Sequence, residues 1–167
     1  IAIGTAIMAM IVHLDGSGAV TFLICVPPLV PLYDAVGMKR TTLASIVAMA
    51  AGTMNLLPWG GPTLRAANAL QVDVVKDLFL PVLPAVIAGL VCVLVFAALL
   101  GLREKRRLGD VALKRVEYKA AELTEEEKAL ARPHLFWVNV ILLFAAIVTL
   151  LFSGFAPAVV FMLAYVV

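Results

Sequence analysis

Apolar residues run almost unbroken along the first hundred positions, and the few interruptions set the pattern. Ile1–Val12 is apolar, His13 to Gly18 is polar and glycine-rich, and Ala19–Tyr33 is apolar again with Pro27, Pro28 and Pro31 inside it. The first limb rises only ~18 Å as a helix, short of a ~30 Å hydrocarbon core. Two apolar limbs around a polar glycine turn predict a re-entrant hairpin over residues 1–33, and the three prolines are expected to shorten its second helix. The competing reading is two ordinary spans joined by an external loop. Asp34–Thr42, with Lys39 and Arg40, is a polar connection leading into a broken helix over 43–70, whose halves are Leu43–Met54 and Leu64–Leu70.

Between those halves, Asn55 to Thr63 holds Pro58, Pro62 and the adjacent Gly60 and Gly61. Proline removes an N–H donor and clashes with the preceding turn, and glycine frees the backbone, so this stretch is expected to unwind. In lipid, unwound backbone is tolerated only where it is buried in protein or lines a watery cavity, which makes the break a candidate site. Gln71–Leu78 reads as the next connection. Phe79–Gly101, with Pro81 and Pro84 in its first turns, is long enough at about 23 residues to cross a bilayer outright. Leu102–His134 is hydrophilic, and Thr124 to Glu127 forms a capping-box pattern that predicts a short helix ending before Pro133. Leu135–Phe152 predicts another crossing, and Phe155–Val167 opens one more.

Composition settles the class. With 63% hydrophobic and 14% charged residues and a mean hydropathy of +1.07, the chain reads as an all-α integral membrane protein. Its 167 residues supply too little volume to hide these helix faces in a soluble core. A formal charge of +2 implies no nucleic-acid surface. The basic run from Arg103 to Arg107 places residues 102–134 in the cytoplasm by the positive-inside rule. Phe79–Gly101 then runs from outside to inside, the broken helix runs from inside to outside, and the hairpin enters from the cytoplasm. Cys25 and Cys92 lie far apart in apolar runs and read as small buried hydrophobes. The chain starts and stops inside apolar runs and reads as a piece of a longer polypeptide.

Each polar break ends one helix and begins another. Free N–H groups at a beginning favour an anion, and free carbonyls at an ending favour a cation. Ser17-Gly18 and Gly61-Pro62-Thr63 are the two beginnings. If they meet, backbone amides and the hydroxyls of Ser17, Thr21 and Thr63 form a cradle suited to carboxylates. The cation side would use carbonyls near Val12–Leu14 and Met54–Leu56 with the side chains of Asn55 and Asp15. An intramembrane carboxylate such as Asp15 is functional by default, though a hairpin-tip residue or a cap on the following turn is the plainer alternative. His13 is either a proton relay or metal contact, or an ordinary hydrogen-bonded histidine. Arg65 either clamps a substrate carboxylate or snorkels to the interface. Trp59 belongs to a cavity wall or to an interfacial belt. An intramembrane metal enzyme with His13 and Asp15 as ligands lacks the third protein ligand a catalytic site normally needs. A passive anion channel or a scaffold protein would also tolerate broken helices.

The pair of motifs, His13 to Gly18 and Asn55 to Ala67, resembles the citrate–divalent metal:proton symporters of the CitMHS family. Ile24 to Pro28 and Pro157 to Met162 are similar to the same family. The resemblance implies part of an inverted-repeat secondary transporter in the cell (plasma or inner) membrane, multi-pass and homodimeric in its full length. Residues 1–101 would then be the later part of the first repeat, with hairpin 1–33, broken helix 43–70 and transmembrane helix 79–101. Residues 135–167 would open the second repeat. It implies transport of a citrate–metal complex with protons, no enzymatic activity, and no cofactor beyond the divalent ion in the transported complex. In that reading the complex lies between Ser17-Gly18 and Gly60, Gly61 and Thr63, with Asn55 and Asp15 as contacts for it or for the proton. Sodium-coupled relatives carry a Ser-Asn-Thr triplet at the hairpin tip, whereas this tip is Asp-Gly-Ser-Gly, which favours a proton on Asp15. The alternative is a metal-independent di- or tricarboxylate or other organic-anion carrier.

Overall fold

A computed structural model describes residues 1–109, 135–152, 155 and 157–166, and every regular element among them is helical. The chain divides into two compact units, Ile1–Tyr118 and Lys119–Val167. The first contains α1 (Ala2–Val12), a 3₁₀ turn (His13–Asp15), α2 (Gly18–Val36), α3 (Arg40–Met54), α4 (Gly61–Leu70), a π-helical turn (Val74–Phe79) and α5 (Leu80–Leu108). The second contains α6 (Phe136–Phe152) and α7 (Pro157–Val166), which pack on each other.

Helix α3 is the centre of the first unit and packs on α1, α2 and α5. Its Leu43, Ile46, Val47 and Ala50 are fully buried. Small residues let the neighbours come close: α1 turns Ala2, Thr5, Ala6 and Ala9 inward, and a Cβ on Gly101 of α5 would lie 3.0 Å from the Ala2 Cβ. Where lipid supplies no hydrophobic drive between helices, such close approach is the main source of packing energy. Polar groups inside the bundle are paired. The Thr5 and Tyr33 hydroxyls lie 2.9 Å apart, and buried Glu104 accepts from Thr42 Oγ1 at 3.1 Å and from Arg107 Nη2 at 2.6 Å. The outward residues are apolar instead, among them Ile3, Ile7 and Ile11 on α1 and Ile87, Val91 and Val95 on α5. Gly18–Val36 and Val74–Leu108 are long and apolar enough to cross a membrane by length and composition.

Several sequence expectations are corrected. The prolines do not shorten the second limb, because α2 continues for 19 residues through Pro27, Pro28 and Pro31. Proline's fixed φ is helical, and the lost N–H bonds are offset by packing, with Cys25 and Tyr33 buried in the core. The expected connection Gln71–Leu78 is helical from Val74, because the Asp73 carboxylate accepts from Val75 N at 2.9 Å and Lys76 N at 2.7 Å and so caps the turn. Those bonds, that from Lys76 foremost, hold the Asp73 carboxyl below the usual carboxylate range. The hydrophilic segment begins as helix, since α5 runs on to Leu108. Its remainder from 110 to 134, with the Thr124 capping box, lies outside the described residues. Cys25 is buried as expected, but Cys92 is exposed.

Candidate functional site

The two breaks foreseen in the sequence lie against each other. At the first, the 3₁₀ turn ends on Gly16 in a left-handed conformation (φ 78°), and α2 starts after Ser17, whose hydroxyl accepts from Val20 N at 3.4 Å. At the second, the unwound stretch is Asn55–Gly60, shorter than expected. Helix α4 resumes at Gly61 with Pro62 in its first turn, a position where no N–H is needed. A Cβ on Gly16 would lie 3.1 Å from Trp59 Cδ1, 3.2 Å from the Trp59 carbonyl oxygen and 3.7 Å from the Gly60 Cα. The N-termini of α2 and α4 therefore start side by side.

Side chains from both breaks interlock across this contact. Fully buried His13 places Nδ1 2.7 Å from Thr21 Oγ1 and Nε2 3.2 Å from Asn55 Oδ1. Thr21 Oγ1 donates to the Ser17 carbonyl at 2.9 Å, and Thr63 Oγ1 donates to the Asn55 carbonyl at 3.1 Å. Trp59 Nε1 donates to the Leu14 carbonyl at 2.8 Å. Trp59 is thus a clamp between the breaks, joining residues 45 apart in sequence. No local signal identifies that role, because the acceptor is a backbone carbonyl of another element. Trp59→Phe keeps the buried ring and removes the donor. It is expected to destabilise the protein by about 1–2 kcal/mol, read as a lower midpoint in detergent thermal unfolding, and an unchanged midpoint would mean the clamp is not made.

The cradle expected from the sequence is present in part. Among the hydrogen bonds of the described residues, the N–H groups of Gly18 and Ala19 at the start of α2 and of Gly61 and Thr63 at the start of α4 find no acceptor, and neither does Asn55 Nδ2. These donors suit an anion. The hydroxyls of Ser17, Thr21 and Thr63 instead brace the backbone. On the expected cation side, the His13 carbonyl accepts from Gly16 N at 2.9 Å and the Met54 carbonyl from Leu57 N at 3.1 Å. The Leu14 and Asn55 carbonyls accept from Trp59 and Thr63.

Asp15 stands at the tip of the first break. Its Oδ1 accepts from Ser17 N at 2.9 Å and its side chain is exposed, so it closes a turn. Arg65 is exposed and folds back along its helix, its Nη2 3.4 Å from where a Cβ on Gly61 would stand. Both ring nitrogens of His13 are engaged, and among the described residues no three His, Cys, Asp or Glu side chains are grouped to hold a metal ion.

A family model described as "Citrate transporter" (CitMHS) matches residues 1–167. The chain belongs to this family. The citrate transporter family is one of transporters, not enzymes, and membership agrees with the apolar helices. Over its whole length the chain is 39% identical to a protein of Bacillus subtilis (strain 168) named "Citrate transporter", covering 38% of that protein. Over 99% of its length it is 38% identical to the "Mg(2+)/citrate complex secondary transporter" of the same organism, again covering 38%. A third relative there, "Uncharacterized transporter YraO", is 35% identical over 99% of the chain and 39% of its own length. The chain thus spans under two fifths of the curated relatives it matches. No solved structure matches it.

Proposed function

We propose that the transporter containing this chain takes up citrate complexed with a divalent metal ion together with protons, and that the paired breaks hold the citrate carboxylates. The observation that carries this reading is the side-by-side placement of two helix N-termini with unused amide donors beside the Asn55 amide, inside an apolar bundle. A carboxylate leaving water needs donors that cost no reorganisation, and fixed backbone N–H groups at helix starts supply them. The metal ion travels as part of the substrate, held by citrate oxygens, and the protein contributes no resident cofactor. The relative named for a Mg(2+)/citrate complex supports that assignment.

In this reading Ser17, Gly18, Thr21, Asn55, Gly60, Gly61, Thr63 and Arg65 form this chain's share of the substrate site, and the proton resides on Asp15 or His13. Residues 1–101 form the later part of the first inverted repeat, with 1–33 as its re-entrant hairpin, and residues 135–167 open the second. The whole protein is a multi-pass homodimer of the plasma membrane with residues 102–134 in the cytoplasm.

The test is uptake of radiolabelled citrate into proteoliposomes of the complete transporter, with and without magnesium ions and with or without an inward proton gradient. Uptake requiring both is expected. Citrate uptake indifferent to metal would move the assignment to a metal-independent carboxylate carrier, and no citrate uptake under any condition would remove the substrate assignment altogether.

A further inference from the structure

At the end of α3 away from the two breaks, where α3 begins and α5 finishes, lies a cavity of about 430 Å³. Three cations line it, Lys39, Arg103 and Arg107, against a single carboxylate, Glu104. That carboxylate is buried and both its oxygens are engaged. Oε1 accepts from Thr42 Oγ1 at 3.1 Å, and Oε2 accepts from Arg107 Nε at 2.9 Å and Nη2 at 2.6 Å. Glu104 and Arg107 therefore neutralise each other. Lys39 and Arg103 are exposed, and neither forms a salt bridge among the described residues. The cavity thus carries two positive charges in excess. No side chain caps the start of α3, where Thr41 adds a hydroxyl to the lining, so the first N–H groups of that helix are left for an acceptor.

The walls of this recess are fixed by the fold. Gly37 ends α2 in a left-handed conformation (φ 76°), and its carbonyl accepts from Arg107 Nη2 at 2.6 Å. Leu108 packs against the same corner, its Cδ2 3.2 Å from where a Cβ on Gly37 would stand. Away from the helix ends the surface turns apolar. Leu100 lines the cavity, and Phe96, one turn further along the same face of α5, and Leu99 are each more than half exposed. On α3, Ser45 lines the cavity and Ala48, one turn on, is small and exposed. A cationic recess above an apolar strip matches the two halves of a phospholipid.

We propose that this recess binds the phosphate headgroup of an anionic phospholipid, with an acyl chain lying along Leu99 and Phe96. Lys39 and Arg103 supply the unmatched charge, and Arg107 contributes Nη1, which neither Glu104 nor Gly37 occupies. Basic pockets between membrane helices attract headgroup phosphates, and each Lys or Arg near an anionic surface contributes about fivefold in affinity. A zwitterionic headgroup carries its own ammonium, so the excess charge favours an anionic lipid over it. The bound lipid joins the start of α3 to the end of α5 and leaves the paired breaks, at the other end of α3, untouched. The site is thus separate from the citrate site proposed above and does not depend on it.

The experiment uses the complete transporter in a neutral detergent and counts bound lipid by native mass spectrometry as phosphatidylglycerol or phosphatidylcholine is added. Wild type is expected to hold phosphatidylglycerol about tenfold more tightly or better. Lys39→Gln combined with Arg103→Gln should remove that preference, at about fivefold for each charge. Lys105→Gln combined with Arg106→Gln is the control. Those two residues are exposed in the last turn of α5 and do not line the cavity, so equal charge is lost and the preference should stay. Ser45→Trp fills the cavity without changing charge, should also remove the preference, and decides the matter if the first variant does not fold. An equal loss in the Lys105 and Arg106 variant would reveal diffuse surface charge and overturn the cavity assignment, as would wild type that shows no preference. Inorganic phosphate or citrate is expected to leave the lipid in place. Displacement of the lipid by either would mark a site for soluble anions and overturn the lipid assignment.

Discussion

Gly60→Ala is expected to abolish citrate uptake and to lower the thermal stability of the complete transporter by about 3 kcal/mol or more, at or above the upper end for overpacked cores. The reason is steric. Gly60 has ordinary extended dihedrals (φ −63°, ψ 138°), so any residue could adopt its backbone. A Cβ there would collide with the Asn55 carbonyl oxygen and lie 3.0 Å from the Asn55 carbonyl carbon and the Leu57 carbonyl oxygen. All three are backbone atoms, and none can yield by changing a rotamer. Relief requires opening the Asn55–Gly60 turn, which would pull Asn55 from His13 and Trp59 from Leu14. Gly52→Ala is the control. That glycine lies on α3 just before the break and meets nothing within 4 Å, so alanine should be neutral or gain up to ~1 kcal/mol of helix propensity. Heating both variants in detergent and measuring the monodisperse fraction by size exclusion separates them. Equal stability would mean that the turn is not packed as described.

The positions of both breaks were legible because their causes are local. Prolines and adjacent glycines between apolar runs unwind a helix wherever they stand, and the Asp15 turn and the Ser17 cap follow from short-range hydrogen bonding. The same local rules overreached at Pro27, Pro28, Pro31 and Pro62. The first three survive inside α2 because its packing against α1 and α3 outweighs the lost N–H bonds. Pro62 falls in a first turn, where its missing N–H costs nothing. What the sequence could not yield is long-range pairing. Trp59 reaches Leu14 across 45 residues, and His13 reaches Asn55 across 42. Reading Asp15 as functional followed from the cost of an intramembrane carboxylate, and the proton on it from the resemblance. In the fold its Oδ1 closes a turn, while His13 is a fully buried polar side chain between the breaks. Likewise, several carbonyls assigned to a cation from their place at helix ends accept hydrogen bonds, that of Leu14 from Trp59 in the opposite break and those of His13, Met54 and Asn55 from within their own.

Thr21→Val tests whether the hydroxyl between His13 and Ser17 is the anchor of this arrangement. The site is fully buried, and valine preserves the branched shape, so the change removes hydrogen bonding with little loss of packing. The imidazole Nδ1 would then lose its hydroxyl partner in a place water does not reach, and the Ser17 carbonyl would lose one donor while keeping the Thr21 N–H bond of 3.1 Å. Stranding a buried polar group costs about 1–3 kcal/mol. The Nε2–H tautomer donates to Asn55 Oδ1 and strands only the Nδ1 lone pair, so stability should fall toward the lower end of that range. Thr21→Ser retains the hydroxyl and should restore it. Serine behaving like valine in thermal unfolding would show that the methyl group, not the hydrogen bond, is what the site needs. A valine variant with wild-type stability would show that the hydroxyl anchors neither His13 nor Ser17.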